Sequence, residues 1–128
     1  MNEPVRKKVE CFEDLFVWQK AVVFAKDIYL ITEKKGLQND YGLKGQMRNA
    51  AVSISTNIAE GFERRLRKEY LNFLNIAKGS SGELRSLLIV ACEIGYLDEN
   101  ERKVLCEKAK FLSGSLSNHM KAISASNP

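Results

Sequence analysis

Proline is nearly absent from this chain of 128 residues, because Pro4 and Pro128 are its only prolines and none interrupts residues 5–127. A proline inside a helix removes a hydrogen bond and clashes with the preceding turn, so its absence permits long helices throughout. No uncharged run of 18 residues occurs, which excludes a membrane-spanning helix. The length and the apolar content of 45% predict one soluble domain with its own core.

Residues suited to metal or redox chemistry are also scarce. The cysteines are odd in number and widely spaced (Cys11, Cys92 and Cys106), and His119 is the single histidine. Zinc sites and disulfide frameworks need more than this, and a di-iron bundle needs Glu-x-x-His motifs on two helices. We therefore predict no metal, no cofactor and a reducing, cytoplasmic location. Residues 1–11 are polar, lack the apolar core of a signal peptide, and are predicted to be flexible.

The spacing of the apolar residues predicts a single four-helix domain over residues 12–124. We expect an all-α, antiparallel up-down-up-down bundle, because short connections favour antiparallel neighbours. Asp14, Asp40 and Asp98 are the predicted caps of the first, second and fourth helices. The predicted helices span about 14–34, 42–66, 68–96 and 99–123. In the first helix, the three-four spacing of one face is followed by Leu15, Trp18, Val22, Ala25, Tyr29 and Thr32. Neighbouring faces add the apolar residues Val17, Ala21, Phe24, Ile28 and Ile31.

The third helix has an ambiguous centre at Gly79–Gly82. Ser80 and Glu83 have the spacing of a capping box, which could start a new helix there. The apolar period nevertheless keeps its phase across this segment, which favours one continuous helix. Both alternatives remain open at this stage.

The second helix has an unusual lack of charge between Arg48 and Glu60. A helix on the surface of a monomer normally shows Lys, Glu or Arg to water. Residues 49–59 are instead small, apolar or uncharged, so we expect this helix to be covered on more than one side. Its own bundle provides one cover, and a second copy of the chain is the predicted other cover.

A stripe of polar residues follows the same helix and contains Ser53, Asn57 and Glu60. Ser80 and Glu83 on the third helix are candidate partners for it. We interpret these five residues as a structural ladder at an interface, because buried polar groups need partners. The alternative is a ligand pocket or an enzyme that uses Glu60 and Glu83 as paired carboxylates, with Asn57.

Basic residues cluster after the second helix. The candidates for contact with RNA or DNA phosphates are Arg48, Arg64, Arg65, Arg67, Lys68, Lys78 and Arg85. A simpler interpretation is that cations at a helix C-terminus oppose its dipole and solvate the turn. No aromatic residues alternate with the cluster, so the sequence does not indicate base-specific reading of a single strand.

Four motifs occur between residues 12 and 84, namely FEDLFVWQKA (12–21), YGLKGQMRNAAVSI (41–54), NIAEGFER (57–64) and EYLNFLNIAKGSSGEL (69–84). They resemble the four-helix bundle proteins also called 23S ribosomal RNA intervening-sequence proteins, which include the accessory variability protein of diversity-generating retroelements. The resemblance extends from Phe12 to about Leu97.

The resemblance implies a homopentamer without known catalysis, and for the retroelement member a basic barrel that binds nucleic acid and a reverse transcriptase. Ser55 stands where the family often has proline, and Asn49 where it often has a second arginine. We expect a non-enzymatic oligomer that serves as an accessory or assembly module, on nucleic acid or as a scaffold for a protein partner alone.

Overall fold

The computed structural model describes residues 8–126 as one all-α domain, and no strand occurs within that range. This confirms the predicted four-helix fold class. Short 3-10 turns precede the first two helices, and residues 1–7 of the predicted flexible N-terminus lie outside the described part. The helices are α1 (Phe16–Ile31), α2 (Tyr41–Glu63), α3 (Arg67–Ile94) and α4 (Glu99–Ala125).

The start of α1 differs from the prediction. Asp14 does not cap α1, because the helix begins after Leu15, which makes no side-chain capping bond. The Asp14 carboxylate instead accepts hydrogen bonds from the backbone N–H groups of Glu10 and Cys11, at 3.0 and 3.3 Å. Asp14 therefore closes the 3-10 turn that precedes the helix.

The buried residues of α1 belong to the faces beside the one that the three-four spacing selects. Val17, Ala21, Phe24 and Ile28 are buried, whereas Val22 and Tyr29 of the selected face are more than two-fifths exposed. Helix α1 is apolar on most of its sides, so several stripes at helical spacing compete. The positions of the neighbouring helices decide between these stripes.

The predicted caps of α2 and α4 are present. The Asp40 carboxylate accepts a hydrogen bond from the Leu43 N–H at 3.1 Å, and the Tyr96 hydroxyl donates to the same carboxylate at 3.0 Å. Asp98 and Glu101 form a reciprocal capping box at the start of α4. These bonds satisfy backbone N–H groups that have no partner within the helix.

Helix α3 is continuous, as the apolar period predicts. It passes through Gly79 and Gly82 without a break and ends at Gly95, which adopts the left-handed conformation (φ +101°). The added Cβ of an alanine at Gly79 or Gly82 would meet no heavy atom within 4 Å. These two glycines therefore lie at open positions on the helix surface.

Helices α2 and α3 approach each other closely at Gly61. A Cβ atom at this position would lie 2.5 Å from the Cβ of Phe73 and 3.1 Å from the Tyr70 ring. Along the same pair, the Ser53 and Ser80 hydroxyls lie 3.0 Å apart. Late residues of α2 thus contact early residues of α3, and the central residues of the two helices meet.

The buried hydroxyl of Ser81 and the partly buried hydroxyl of Ser113 connect α3 to α4. The Ser81 hydroxyl donates to the Ala109 carbonyl at 2.9 Å, and the Ser113 hydroxyl donates to the Ser81 hydroxyl at 3.0 Å. Ser81 is fully buried, so this chain of bonds removes the cost of an unpaired hydroxyl in the core. The bonds also fix the register of α4 against α3.

We predict that Gly61→Ala destabilises the fold. The new methyl group would overlap Phe73, and overpacking of this kind costs about 1–3 kcal/mol of unfolding free energy. Chemical denaturation of the variant measures this loss.

Gly79→Ala is the matched control, because the same change is made at an open position of a helix. It should stabilise the protein by about 0.5–1 kcal/mol, since alanine loses less backbone entropy than glycine in a helix. Equal effects of the two substitutions would contradict the close approach of α2 and α3.

Candidate functional site

Part of the predicted polar stripe forms one hydrogen-bonded cluster between α2 and α3. The Asn57 amide donates to the Ser53 carbonyl at 2.7 Å and to the Ser53 hydroxyl at 2.9 Å. The Ser53 hydroxyl is also bonded to the Ser80 hydroxyl, and all three residues are at least partly buried. The cluster holds Asn57 and Ser53 against α3.

Glu60 and Glu83 lie outside this cluster. Both are exposed, and Glu60 forms an ion pair with Arg64 on its own helix at 3.2 Å. Because Gly61 lies beside Phe73, Glu60 is close to the level of Phe73, ten residues before Glu83 on α3. Ten helical residues span about 15 Å, so the two carboxylates are too far apart to act on one group as a pair.

Arg48, a candidate for phosphate contact, is instead held by α1. Its Nε donates to the Thr32 hydroxyl at 2.8 Å, and its Nη2 donates to the Glu33 carboxylate at 2.5 Å. The guanidinium also lies 4.3 Å from the centre of the Tyr29 ring. The bond from Arg48 and the charge of Lys44 lower the pKa of the Glu33 carboxyl. Arg48 thus joins α2 to the C-terminal end of α1.

Arg67 and Arg64 also have partners within the chain. Arg67 donates to the carbonyls of Ser124 and Ser126 at 2.7 and 2.8 Å, in the last turn of α4 and just beyond it. Terminal carbonyls of a helix lack intrahelical partners, so the arginine satisfies them and opposes the helix dipole. Arg64 pairs with Glu60 and lies 5.3 Å from the centre of the Phe73 ring.

The other four candidate cations are exposed. Arg65, Lys68, Lys78 and Arg85 form no ion pair with any residue of the described range 8–126. Arg65 lies in the turn between α2 and α3 and is the only non-glycine residue of that range with a positive φ, at 64°. The structure therefore separates the seven candidates into three engaged arginines and four cations that face solvent.

Three further cations were missed by the sequence analysis. Lys103, Lys110 and Lys121 on α4 are exposed, and they too form no ion pair with the described residues. Their spacing of seven and eleven residues places them on one side of the helix, since both intervals are close to whole turns of 3.6 residues. This spacing was available in the sequence.

His119 and Tyr70 form a hydrogen bond between α4 and α3, with 2.7 Å between the Tyr70 hydroxyl and His119 Nε2. Their rings also meet edge to face, and the Phe62 ring makes a second edge-to-face contact with Tyr70. Burial lowers the pKa of the His119 imidazole and raises the pKa of the Tyr70 phenol. His119 is therefore a partly buried residue that joins α4 to α3.

Helices α1 and α4 enclose an apolar cleft of about 400 Å³. Val23, Val104 and Phe111 line it, and all three are more than two-fifths exposed. An ion pair of 2.9 Å between Lys108 and Asp27 crosses between the two helices. Phe24 and Leu112 form the buried floor of this cleft.

Residues 8–126 contain neither a metal-binding group of side chains nor a membrane-spanning helix. No group of three cysteine, histidine or acidic side chains in that range is placed to hold a metal ion. No helix there has both the length and the apolar character needed to cross a membrane.

We predict that His119 makes the fold less stable in mild acid. Its folded-state pKa is below the unfolded value of about 6.5, so the unfolded chain takes up the proton first as pH falls. The thermal midpoint should therefore fall between about pH 7.5 and 5.5, above the range in which ordinary carboxylates titrate. His119→Gln keeps a polar partner for Tyr70 and should reduce this fall. An unchanged pH dependence in the variant would show that His119 is not its source.

Comparisons with known proteins identify a shared fold and, separately, the family. A protein of unknown function from the S23 ribosomal protein family of Bacteroides thetaiotaomicron has a similar structure, with a TM-score of 0.75. The two sequences are 22% identical, and the match covers 82% of this chain and 98% of that one, which shows a shared fold. Among curated proteins, none is significantly similar in sequence. The model of the family described as 23S rRNA-intervening sequence protein matches residues 13–118, and the chain therefore belongs to that family.

Proposed function

We propose that this protein is a non-enzymatic accessory protein that assembles with copies of itself and binds the phosphates of nucleic acid. The observation that carries the binding proposal is the set of exposed, unpaired cations at the α2–α3 turn and along α3. Arg65, Lys68, Lys78 and Arg85 have no acidic partner within residues 8–126. Binding of phosphate to such groups breaks no ion pair and releases condensed counterions.

The absence of a paired-carboxylate arrangement supports a non-enzymatic role. Glu60 already forms an ion pair with Arg64, and Glu83 lies on the surface about 15 Å further along α3. The Asn57 side-chain amide donates its hydrogen bonds to the carbonyl and the hydroxyl of Ser53. These three residues therefore act as surface and packing groups in our account. The three cysteines are unpaired thiols, which suits a cytoplasmic protein.

The outer face of α2 supports self-association. Val52 is 38% exposed, and the Ser55 and Thr56 hydroxyls both donate to its carbonyl at 3.1 Å. The helix itself thus supplies the hydrogen-bond acceptors for these hydroxyls. A partner can therefore cover this face without leaving either hydroxyl buried and unpaired. A second copy of the chain is the proposed partner.

A closed ring needs two different surfaces that complement each other, because only a two-fold interface can use the same surface twice. The outer face of α2 and the cleft between α1 and α4 provide two such surfaces on each chain. We propose a ring of five subunits, the number that the family resemblance implies, in which each subunit is an up-down-up-down bundle. The contacts of Gly61 with Phe73 and of Arg67 with Ser124 support this order of helices.

A second candidate function is a scaffold for another protein, such as a reverse transcriptase. The apolar cleft between α1 and α4 favours it, because exposed apolar concavities of this kind mark protein contacts. Association with a protein that survives nuclease treatment, together with no affinity for nucleic acid, would favour this alternative.

The binding proposal predicts a salt-dependent affinity for labelled RNA or DNA of mixed sequence. The logarithm of the association constant should fall linearly with the logarithm of the salt concentration, as measured by fluorescence anisotropy. Arg65→Gln combined with Lys68→Gln should weaken binding and reduce the slope by roughly 0.7–0.9 for each lost phosphate contact.

Lys26→Gln combined with Lys35→Gln is the matched control. It removes the same charge from two exposed lysines, Lys26 within α1 and Lys35 beyond its end, away from the α2–α3 turn. This control should keep nearly the full slope. A slope near zero for the unmodified protein would refute the binding proposal. Equal losses of affinity in both double variants would contradict a binding site at the α2–α3 turn, because they would show that affinity depends only on overall charge.

A further inference from the structure

Five exposed cations follow the outer groove between α3 and α4. In their order along the groove they are Lys121, Lys78, Lys110, Arg85 and Lys103. Two of them, Lys78 and Lys121, line a shallow depression of about 520 Å³ together with Ser117, Met120 and Ser124. We refer to the five residues as the α3–α4 cation row.

Contacts between the two helices establish this order. Tyr70 meets His119, Ser81 meets Ala109 and Ser113, and the Cys106 thiol lies 3.9 Å from the Arg85 carbonyl. Lys110 is therefore level with Ser81, between Lys78 and Arg85. Lys121 is near the level of Tyr70 at one end of the row, and Lys103 lies beyond Arg85 at the other.

The row carries uncompensated positive charge. None of its five members forms an ion pair with a residue in the described range. Glu107 is the acidic residue nearest in sequence to Lys110, but it lines the cleft on the α1 side of α4. Arg102, one position before Lys103, is already paired with Glu99. The row therefore attracts anions, and the distance between its ends indicates a polymer.

We propose that the α3–α4 cation row binds the phosphates of a single nucleic-acid strand that lies along the groove. The inference deepens the proposed nucleic-acid function, on which it rests, by naming the class of partner and the path that it follows. It adds Lys103, Lys110 and Lys121 to the cations near the α2–α3 turn.

The straight form of the row favours a single strand over a duplex. Lys103 and Lys121 are 18 residues apart on one helix, which gives the row a length of about 27 Å. Over this distance a B-form duplex rises about eight base pairs, so each strand winds through about three quarters of a turn. A duplex strand would leave the row after a few phosphates, whereas a flexible single strand can follow it.

The residues of the groove indicate binding without base specificity. Ser117 and Ser124 offer hydroxyl groups, and Met120 offers an apolar contact. None of the residues that line the depression is aromatic, so it lacks the ring surfaces on which bases stack. Affinity should therefore depend on salt and strand length more than on sequence.

The test compares Lys110→Gln combined with Lys121→Gln against the Lys26→Gln and Lys35→Gln control. The probe is a labelled strand of about twelve deoxythymidines, long enough to cover the row. The α4 double variant should bind about tenfold more weakly at about 50 mM salt and lose about 1.4 from the salt slope, at 0.7 per phosphate. The unmodified protein should also bind this strand more tightly than the duplex that it forms with its complement.

Two results would overturn the inference while the proposed function stands. The first is equal binding by the α4 double variant and the control, with Arg65→Gln and Lys68→Gln still weakening the complex. The second is tighter binding of the duplex than of the single strand by the unmodified protein. Failure of the unmodified protein to bind any of the probes would overturn both proposals. Circular dichroism verifies that each variant remains helical.

Discussion

The close packing of α2 against α3 determines which surfaces the rest of the molecule presents. Gly61 allows the backbone of α2 to approach Phe73, and the cluster of Ser53, Asn57 and Ser80 fixes the two helices at mid-length. With that side of α2 occupied, Val52 and its neighbours face outwards as an uncharged surface. The same packing forms the sharp turn that exposes Arg65 beside the start of α3.

Features that depend on neighbours in sequence were predictable. Asp40 and Asp98 cap helices because a side-chain oxygen reaches N–H groups two or three residues later, and the phase of the apolar residues indicated that α3 continues through Gly79. The buried face of α1 was not predictable in this way. Phe24 and Val22 are both apolar, and only the placement of the other helices decides that Phe24 is buried.

The candidate nucleic-acid-binding cations likewise include some whose environment the sequence could predict and some whose environment it could not. Arg48 and Arg67 resemble phosphate ligands in sequence, but acceptors at the C-terminal ends of α1 and α4 bind them. These acceptors lie at least 15 residues away along the chain. Tertiary structure alone reveals such partners. Lys110 and Lys121, by contrast, could have been found from their spacing on α4. Any amphipathic helix has a charged outer face, so this spacing alone does not indicate a binding site. The structure adds the necessary observation that Lys78 of α3 lines the same depression as Lys121 of α4.

Self-association is the central claim of this account, because the uncharged face of α2 and the apolar cleft between α1 and α4 both lie open in one chain. Light scattering combined with size-exclusion chromatography measures it most directly on the unmodified protein. We predict a mass of at least twice 14.5 kDa, and of five times 14.5 kDa for the proposed ring. A mass of 14.5 kDa that persists as the protein concentration rises would contradict the claim.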